Sequence, residues 1–161
     1  MNYATIKNCD IANGPGVRVS LFVSGCTHRC PGCFNEVAWD FNYGEPFTQE
    51  TVDSILNMLE PAFVKGLTLL GGEPFEPQNQ AVLLPFLRRV KERYPKKKIW
   101  CYTGYLFEDL LEHPARRALV ELCDVIVDGR FVEAVFMSTL FIGPLRITWR
   151  FSTSPPTAYT A

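Results

Sequence analysis

The run Val17-Arg18-Val19-Ser20-Leu21-Phe22-Val23-Ser24 leads directly into Gly25-Cys26-Thr27-His28-Arg29-Cys30-Pro31-Gly32-Cys33, and its reading decides the architecture of the chain. The first half alternates apolar and polar positions and is rich in β-branched side chains, which predicts a strand over residues 17–24. The second half sets three cysteines within eight residues, immediately beyond that strand. Working outward, Thr48 suits a helix N-cap, and Val52, Ile55, Leu56 and Leu59 recur with helical spacing before Pro61. Gly66-Leu67-Thr68-Leu69-Leu70 is a short apolar run suited to a buried strand. From Ala81 to Tyr94 the residues Val82, Phe86, Leu87 and Val90 share one helical face, with Pro85 either kinking the helix or opening its better half. A strand over Ile99–Tyr102, short helices over Tyr105–Leu111 and Pro114–Leu122, and a strand over Val125–Val127 complete the pattern.

Strands alternating with helices predict an α/β fold with parallel strands and right-handed crossovers. The chain has 161 residues, the size of one domain. A closed eight-stranded barrel takes about 250 residues, so the expected form is a partial, open βα barrel of about four to five βα units. From Ala134 onward there is no Asp, Glu or Lys, and Arg146 and Arg150 are the only cations. A boundary is therefore expected there, with a domain over residues 1–133 and an atypical tail over 134–161. One edge strand is expected within Phe136–Phe151, followed by a loose terminus.

Hydrophobic residues make up 47% and charged residues 20%, the balance of a soluble globular protein. A net charge of −1 gives no basic excess for nucleic acid. No apolar run is long enough for a bilayer, and Met1-Asn2-Tyr3-Ala4-Thr5 lacks the basic start of a signal peptide, so a cytoplasmic protein without a membrane or nucleic-acid partner is expected. Lys96-Lys97-Lys98 reads as a solvated loop leading into a strand. The six cysteines stand at positions 9, 26, 30, 33, 101 and 123. In a reducing compartment they point to metal or redox chemistry rather than to disulfides. Cys101 and Cys123 sit in apolar stretches as ordinary buried thiols, and Cys9 has no assigned role.

Cys26, Cys30 and Cys33 are separated by three and then two residues. Iron–sulfur clusters usually take four cysteine thiolates, so a local set of three leaves one iron open to an outside ligand. Zinc is the competing reading and needs a fourth donor. His28 is too close to its loop neighbours to close a tetrahedron easily, while a distant Cys101 or Cys123 could supply it. Gly71-Gly72-Glu73-Pro74 falls at the carboxyl end of a predicted strand, the face on which barrel enzymes build their sites. Its glycines let backbone approach a ligand, and Glu73 offers an acceptor for an ammonium. Alone this is a turn; beside the cysteine triplet it becomes specific.

On these motifs the chain resembles the radical S-adenosylmethionine superfamily, whose members carry C-x3-C-x2-C and a following G-G-E-P-like turn. Asn13-Gly14-Pro15-Gly16-Val17-Arg18 resembles the N-G-P-G-x-R entry of glycyl-radical-enzyme activases, and Cys30-Pro31-Gly32-Cys33-Phe34-Asn35 resembles their C-P-G-C-aromatic-N variant. With Thr103-Gly104-Tyr105 and Val127-Asp128-Gly129-Arg130-Phe131, roughly the first four-fifths of the chain is similar to the family that activates anaerobic ribonucleoside-triphosphate reductase. The resemblance implies a 4Fe–4S cluster on Cys26, Cys30 and Cys33. It implies S-adenosyl-L-methionine bordered by Gly32, Cys33, Phe34, Gly71, Gly72, Glu73 and Pro74, with no catalytic side chain beyond these. Reductive cleavage of S-adenosylmethionine would then place a glycyl radical on the reductase's glycyl-radical subunit, with an electron donor such as flavodoxin. A pyruvate formate-lyase type activase, a small-molecule radical enzyme and a non-enzymatic metal-binding module are the alternatives. Arg18 is read as functional or as exposed on its strand, and Asn35 as a donor or a turn residue. The tail departs from the family, whose polar R-G-S-x-N-Q-like stretch has no counterpart in residues 135–161.

Overall fold

The computed structural model describes residues 1–131 and the backbone of 146–149. The elements are β1 (Asn2–Asp10), β2 (Val17–Val23), a 3-10 turn (Glu36–Trp39), β3 (Glu45–Pro46), α1 (Gln49–Leu59), β4 (Val64–Gly71), α2 (Pro77–Arg93), β5 (Lys98–Tyr102), α3 (Phe107–Glu112), α4 (Pro114–Val120), β6 (Val125–Asp128) and β7 (Arg146–Trp149). They form an α/β structure around one mixed sheet in the order β3-β1-β2-β4-β5-β6-β7. β2, β4, β5 and β6 run parallel, while β1 joins β2 and β3, and β7 joins β6, in antiparallel fashion.

Local sequence explains most boundaries. Thr48 caps α1 reciprocally: its hydroxyl accepts from the Thr51 N–H while the Thr51 side chain accepts from the Thr48 N–H. Pro77 occupies the first turn of α2, where a missing N–H costs nothing. One expectation needs correction: α2 begins four residues before Ala81, which places Pro85 inside the helix, one of its two expected positions. β1 has no counterpart among the expected strands. Residues 132–145 and 150–161, which include most of the expected tail, lie outside the described residues.

The parallel strands bury both faces. Val19, Leu21, Val23, Leu67, Leu69, Ile99, Cys101 and Ile126 pack with Ile55, Leu56, Leu59, Leu83, Phe86, Leu87, Val90, Leu110 and Leu119 in the main core. Each such aliphatic or aromatic side chain contributes about 1.5–3 kcal/mol when fully buried. Trp100, Val125 and Val127 make a smaller cluster from alternate positions of β5 and β6, on the opposite face. Arg18 belongs to that second face. It is not exposed on its strand but 1% accessible, its guanidinium donating to Thr68 Oγ1 (2.6 Å), Leu67 O (2.8 Å) and Lys98 O (2.7 Å) and lying over the Trp100 ring. The lysine run is also more than a solvated loop. Lys97 Nζ donates to the carbonyls of Pro61 and Val64, and Lys98 Nζ pairs with Asp124.

Candidate functional site

β2 and β4 run in register, Val23 beside Gly71, so both strands end at the same edge of the sheet. The chain leaves β2 through Gly25 at φ +94° and leaves β4 through Gly71 at φ +107°, conformations that side-chain-bearing residues rarely adopt. The exits are then stitched together. The Gly72 N–H donates to Val23 O (2.7 Å), the Glu73 N–H to Gly25 O (2.8 Å) and the Gly25 N–H to Ala38 O (2.8 Å). The structure thus brings the cysteine loop and the Gly71–Pro74 turn into direct contact. Gly72 is required by the protein itself: a Cβ there would lie 2.6 Å from Gly25 O.

All six cysteines are free; Cys30 is buried and Cys26 and Cys33 are partly exposed. Their loop coils through Arg29 at φ +47° and Gly32 at φ +72°, and the Cys33 N–H donates to Cys30 O at 3.1 Å. Burial pushes the Cys26 thiol up to about 11; backbone donors at His28 and Arg29 work against the rise, and the Glu73 and Glu76 carboxylates add to it. Among the described residues no three His, Cys, Asp or Glu side chains are gathered closely enough to hold a single metal ion. That spacing does not conflict with a cubane cluster, in which each thiolate binds a different iron and the sulfurs stand apart. The donor set fits such a cluster: three thiols on one irregular loop, with no fourth cysteine beside them. Cys101 and Cys123, the distant donors considered for zinc, pack together in the main core, while His28 Nε2 meets Glu73.

The predicted cofactor border divides by exposure. Gly32 is exposed, and Phe34 is 79% exposed with its ring edge-on to Phe131. Glu73 and Pro74 are buried. Glu73 Oε1 accepts from the Phe75 N–H (2.9 Å) and the Thr103 hydroxyl (2.9 Å), while Oε2 accepts from the Gly104 N–H (2.8 Å) and meets His28 Nε2 (2.9 Å). A carboxylate offers about four acceptor positions, so protein donors fill this one. An open cleft of about 700 Å³ beside Cys26 is lined by Thr27, Arg29, Trp39, Phe41 and Tyr43 among others. Of the predicted residues, only Cys26 reaches it.

The sequence reading missed Glu76, which accepts from both the N–H (2.8 Å) and the hydroxyl (2.5 Å) of Thr27. It also missed Asn79, whose amide donates to Ser24 O and Glu73 O. The available signal was weak: polar residues in the first turn of a helix that follows a glycine-rich strand end. Asn35 precedes the 3-10 turn and makes no side-chain cap.

The sequence profile of a family described as the 4Fe-4S single cluster domain matches residues 12–143. A relative from Pasteurella multocida is 46% identical over 135 residues, 83% of this chain and 85% of its own length. One from Escherichia coli K12 is 44% identical over 83% of this chain and 86% of its own length. One from Enterobacteria phage T4 is 44% identical over 89% of each chain. All three are named anaerobic ribonucleoside-triphosphate reductase-activating protein. A cysteine loop fastened to a glycine turn, a cluster-domain profile and this degree of identity lead to one statement: the chain belongs to the anaerobic ribonucleoside-triphosphate reductase-activating protein family.

Proposed function

We propose that this protein activates anaerobic ribonucleoside-triphosphate reductase by generating a glycyl radical on it, using a 4Fe–4S cluster and S-adenosylmethionine. The observation that carries this reading is the placing of Cys26, Cys30 and Cys33 on one loop at the carboxyl end of β2, hydrogen-bonded to the Gly71–Pro74 turn at the end of β4. Cys26, Cys30 and Cys33 hold the cluster. Gly32, Cys33 and Phe34 border the cofactor on one side and Gly71, Gly72, Glu73 and Pro74 on the other. Glu73 serves that border by fixing the turn, since its acceptor positions are filled by protein donors. When bound, cluster and cofactor supply one-electron reductive cleavage of S-adenosylmethionine, which ends in removal of hydrogen from a glycine of the reductase.

The parallel strands support reading the sheet as a partial, open βα barrel of the radical S-adenosylmethionine type. The crossovers β2 to β4, β4 to β5 and β5 to β6 advance in one direction, so right-handed connections set their helices on one face and leave the other as the barrel interior. This barrel domain ends near residue 133, and the segment from 134 adds an edge. A one-electron carrier such as flavodoxin supplies the reductant. The cytoplasm, which keeps thiols reduced, is the compartment that suits six free cysteines.

The test is anaerobic reconstitution with iron and sulfide, followed by incubation with reductant, S-adenosylmethionine and the reductase. Electron paramagnetic resonance should then show a glycyl radical on the reductase. A radical formed only on pyruvate formate-lyase, or none at all with the cluster present, overturns the assignment.

A further inference from the structure

Three thiolates on an irregular loop place a cluster only as well as the loop itself is placed. Residues 26–33 contain no helix or strand. The start of the loop is held by the Cys26 N–H, which donates to Trp39 O (3.3 Å), and by Thr27, bound twice to Glu76. His28 adds a hold further along. Its side chain is 7% exposed and its Nε2 lies 2.9 Å from Glu73 Oε2. Its ring meets Tyr105 edge-on with centroids 4.4 Å apart, and the Arg116 guanidinium covers that tyrosine at 3.9 Å. Gly104 forms the floor. A methyl group on Gly104 would stand 2.5 Å from the imidazole, and its three nearest atoms would all belong to His28. The Gly104 N–H donates to the same carboxylate oxygen that holds the ring.

We propose that His28 is the positioning residue of the cluster loop: Glu73, Gly104 and Tyr105 form a socket for its ring, and the seated ring sets where Cys26 and Cys30 present their sulfurs. The proposal rests on the reading that these cysteines carry the cluster. In this proposal His28 acts through its neighbours, its Nε2 held on Glu73. The absence of a side chain at Gly104 is explained by the same socket. Its backbone is not at positive φ, and the nearest obstacle to an alanine there is the ring.

The test compares full-length wild type, His28→Ala, His28→Gln, Gly104→Ala and the double variant His28→Ala/Gly104→Ala, each reconstituted anaerobically. The readouts are the rate at which reduced protein yields iron to a ferrous chelator and the electron paramagnetic resonance spectrum of the reduced cluster. Loss of a hydrogen bond to a buried carboxylate should speed iron release in His28→Ala roughly ten- to a hundredfold and change the spectrum. His28→Gln should restore both, because its amide nitrogen can occupy the place of Nε2. Gly104→Ala should resemble His28→Ala, and the double variant should be no worse than either single one, the non-additivity expected of groups that act as a unit. Should His28→Ala not fold, His28→Gln and Gly104→Ala carry the same comparison. Wild-type release rates and spectra in His28→Ala or Gly104→Ala, or additive defects in the double variant, overturn the socket. A wild-type chain that takes up no cluster overturns the underlying reading, and the proposal with it.

Discussion

The two ends of the parallel sheet each bury a charge, and they do so for different purposes. At the carboxyl ends of the strands sits Glu73, and near their amino ends sits Arg18; both are 1% exposed. Glu73 takes its donors from Phe75 and from two separate loops, those carrying His28 and Thr103-Gly104. Arg18 gives its protons to the adjoining strands, to carbonyls of Leu67 and Lys98 and the hydroxyl of Thr68, which in turn donates to Asn13 O. Burial lowers the guanidinium to about 10, with Tyr102 and Asp124 opposing the fall, so it stays charged at neutral pH. The carboxylate fastens irregular segments of the proposed site, whereas the guanidinium fastens strands that carry the fold. A change at one end should therefore be felt in the cluster, and a change at the other in stability.

The largest expected effect lies at the carboxyl end. Alanine at Cys26, Cys30 or Cys33 removes one of the three proposed ligands and should abolish the cluster, as read by iron content and visible absorption after reconstitution. The urea midpoint of the metal-free variants should stay within experimental scatter of the metal-free wild type, because none of these side chains belongs to the main core. A large loss of stability in the metal-free protein would erase the distinction between the two ends.

Arg18→Met tests the other end. The methionine keeps apolar bulk against Trp100 but deletes the donors to Leu67, Thr68 and Lys98, and the variant should lose about 2–3 kcal/mol of stability in urea unfolding. Iron per folded chain should stay at the wild-type level. A variant of unaltered stability that no longer binds the cluster would move Arg18 from the fold to the site.

The same division governs what could be read from sequence. β2, β4 and α1 were legible because their signals are local: alternation at Val19, Leu21 and Val23, an apolar run ending in glycines, and Thr48 before Val52, Ile55, Leu56 and Leu59. β1 was not, because the two-residue β3 covers it only at Asn2 and Tyr3, and its exposed Lys7, Asn8 and Cys9 carry little hydrophobic pattern. The first turn of α2 was missed for a related reason. Asn79 and Gln80 are buried there through hydrogen bonds to Ser24, Glu73 and Phe75 rather than through apolar packing. In the site the cysteines announced themselves by spacing within eight residues. The bonds from His28 to Glu73 and from Thr27 to Glu76 span 45 and 49 residues, and no local pattern encodes a partner at that separation.

The smallest effect expected is at Asp124, which belongs to the same end as Arg18 and ties β5 to β6. Its carboxylate accepts from the Ile99 N–H (2.8 Å) and from Lys91 and Lys98. Burial by itself would raise its pKa, but the hydrogen bonds from Lys91 and Ile99 and the lysine charges outweigh that, and the group is held below the usual aspartate value. A carboxylate depressed in the folded state stabilises fully above its unfolded value, about 3.9, and the contribution is lost as pH falls through the lower folded value. Lys98 is largely exposed and Lys91 partly so, and asparagine can still accept from the Ile99 N–H. Asp124→Asn should therefore cost only about 1 kcal/mol at neutral pH. The gap between wild type and variant should be flat from pH 7 to about 5 and should close below about pH 4, as the wild-type carboxyl takes up its proton. Urea unfolding of both proteins across that range measures the gap directly. A gap that persisted at the lowest pH would show that Asp124 acts through shape or packing, and that only Arg18 holds this end by charge.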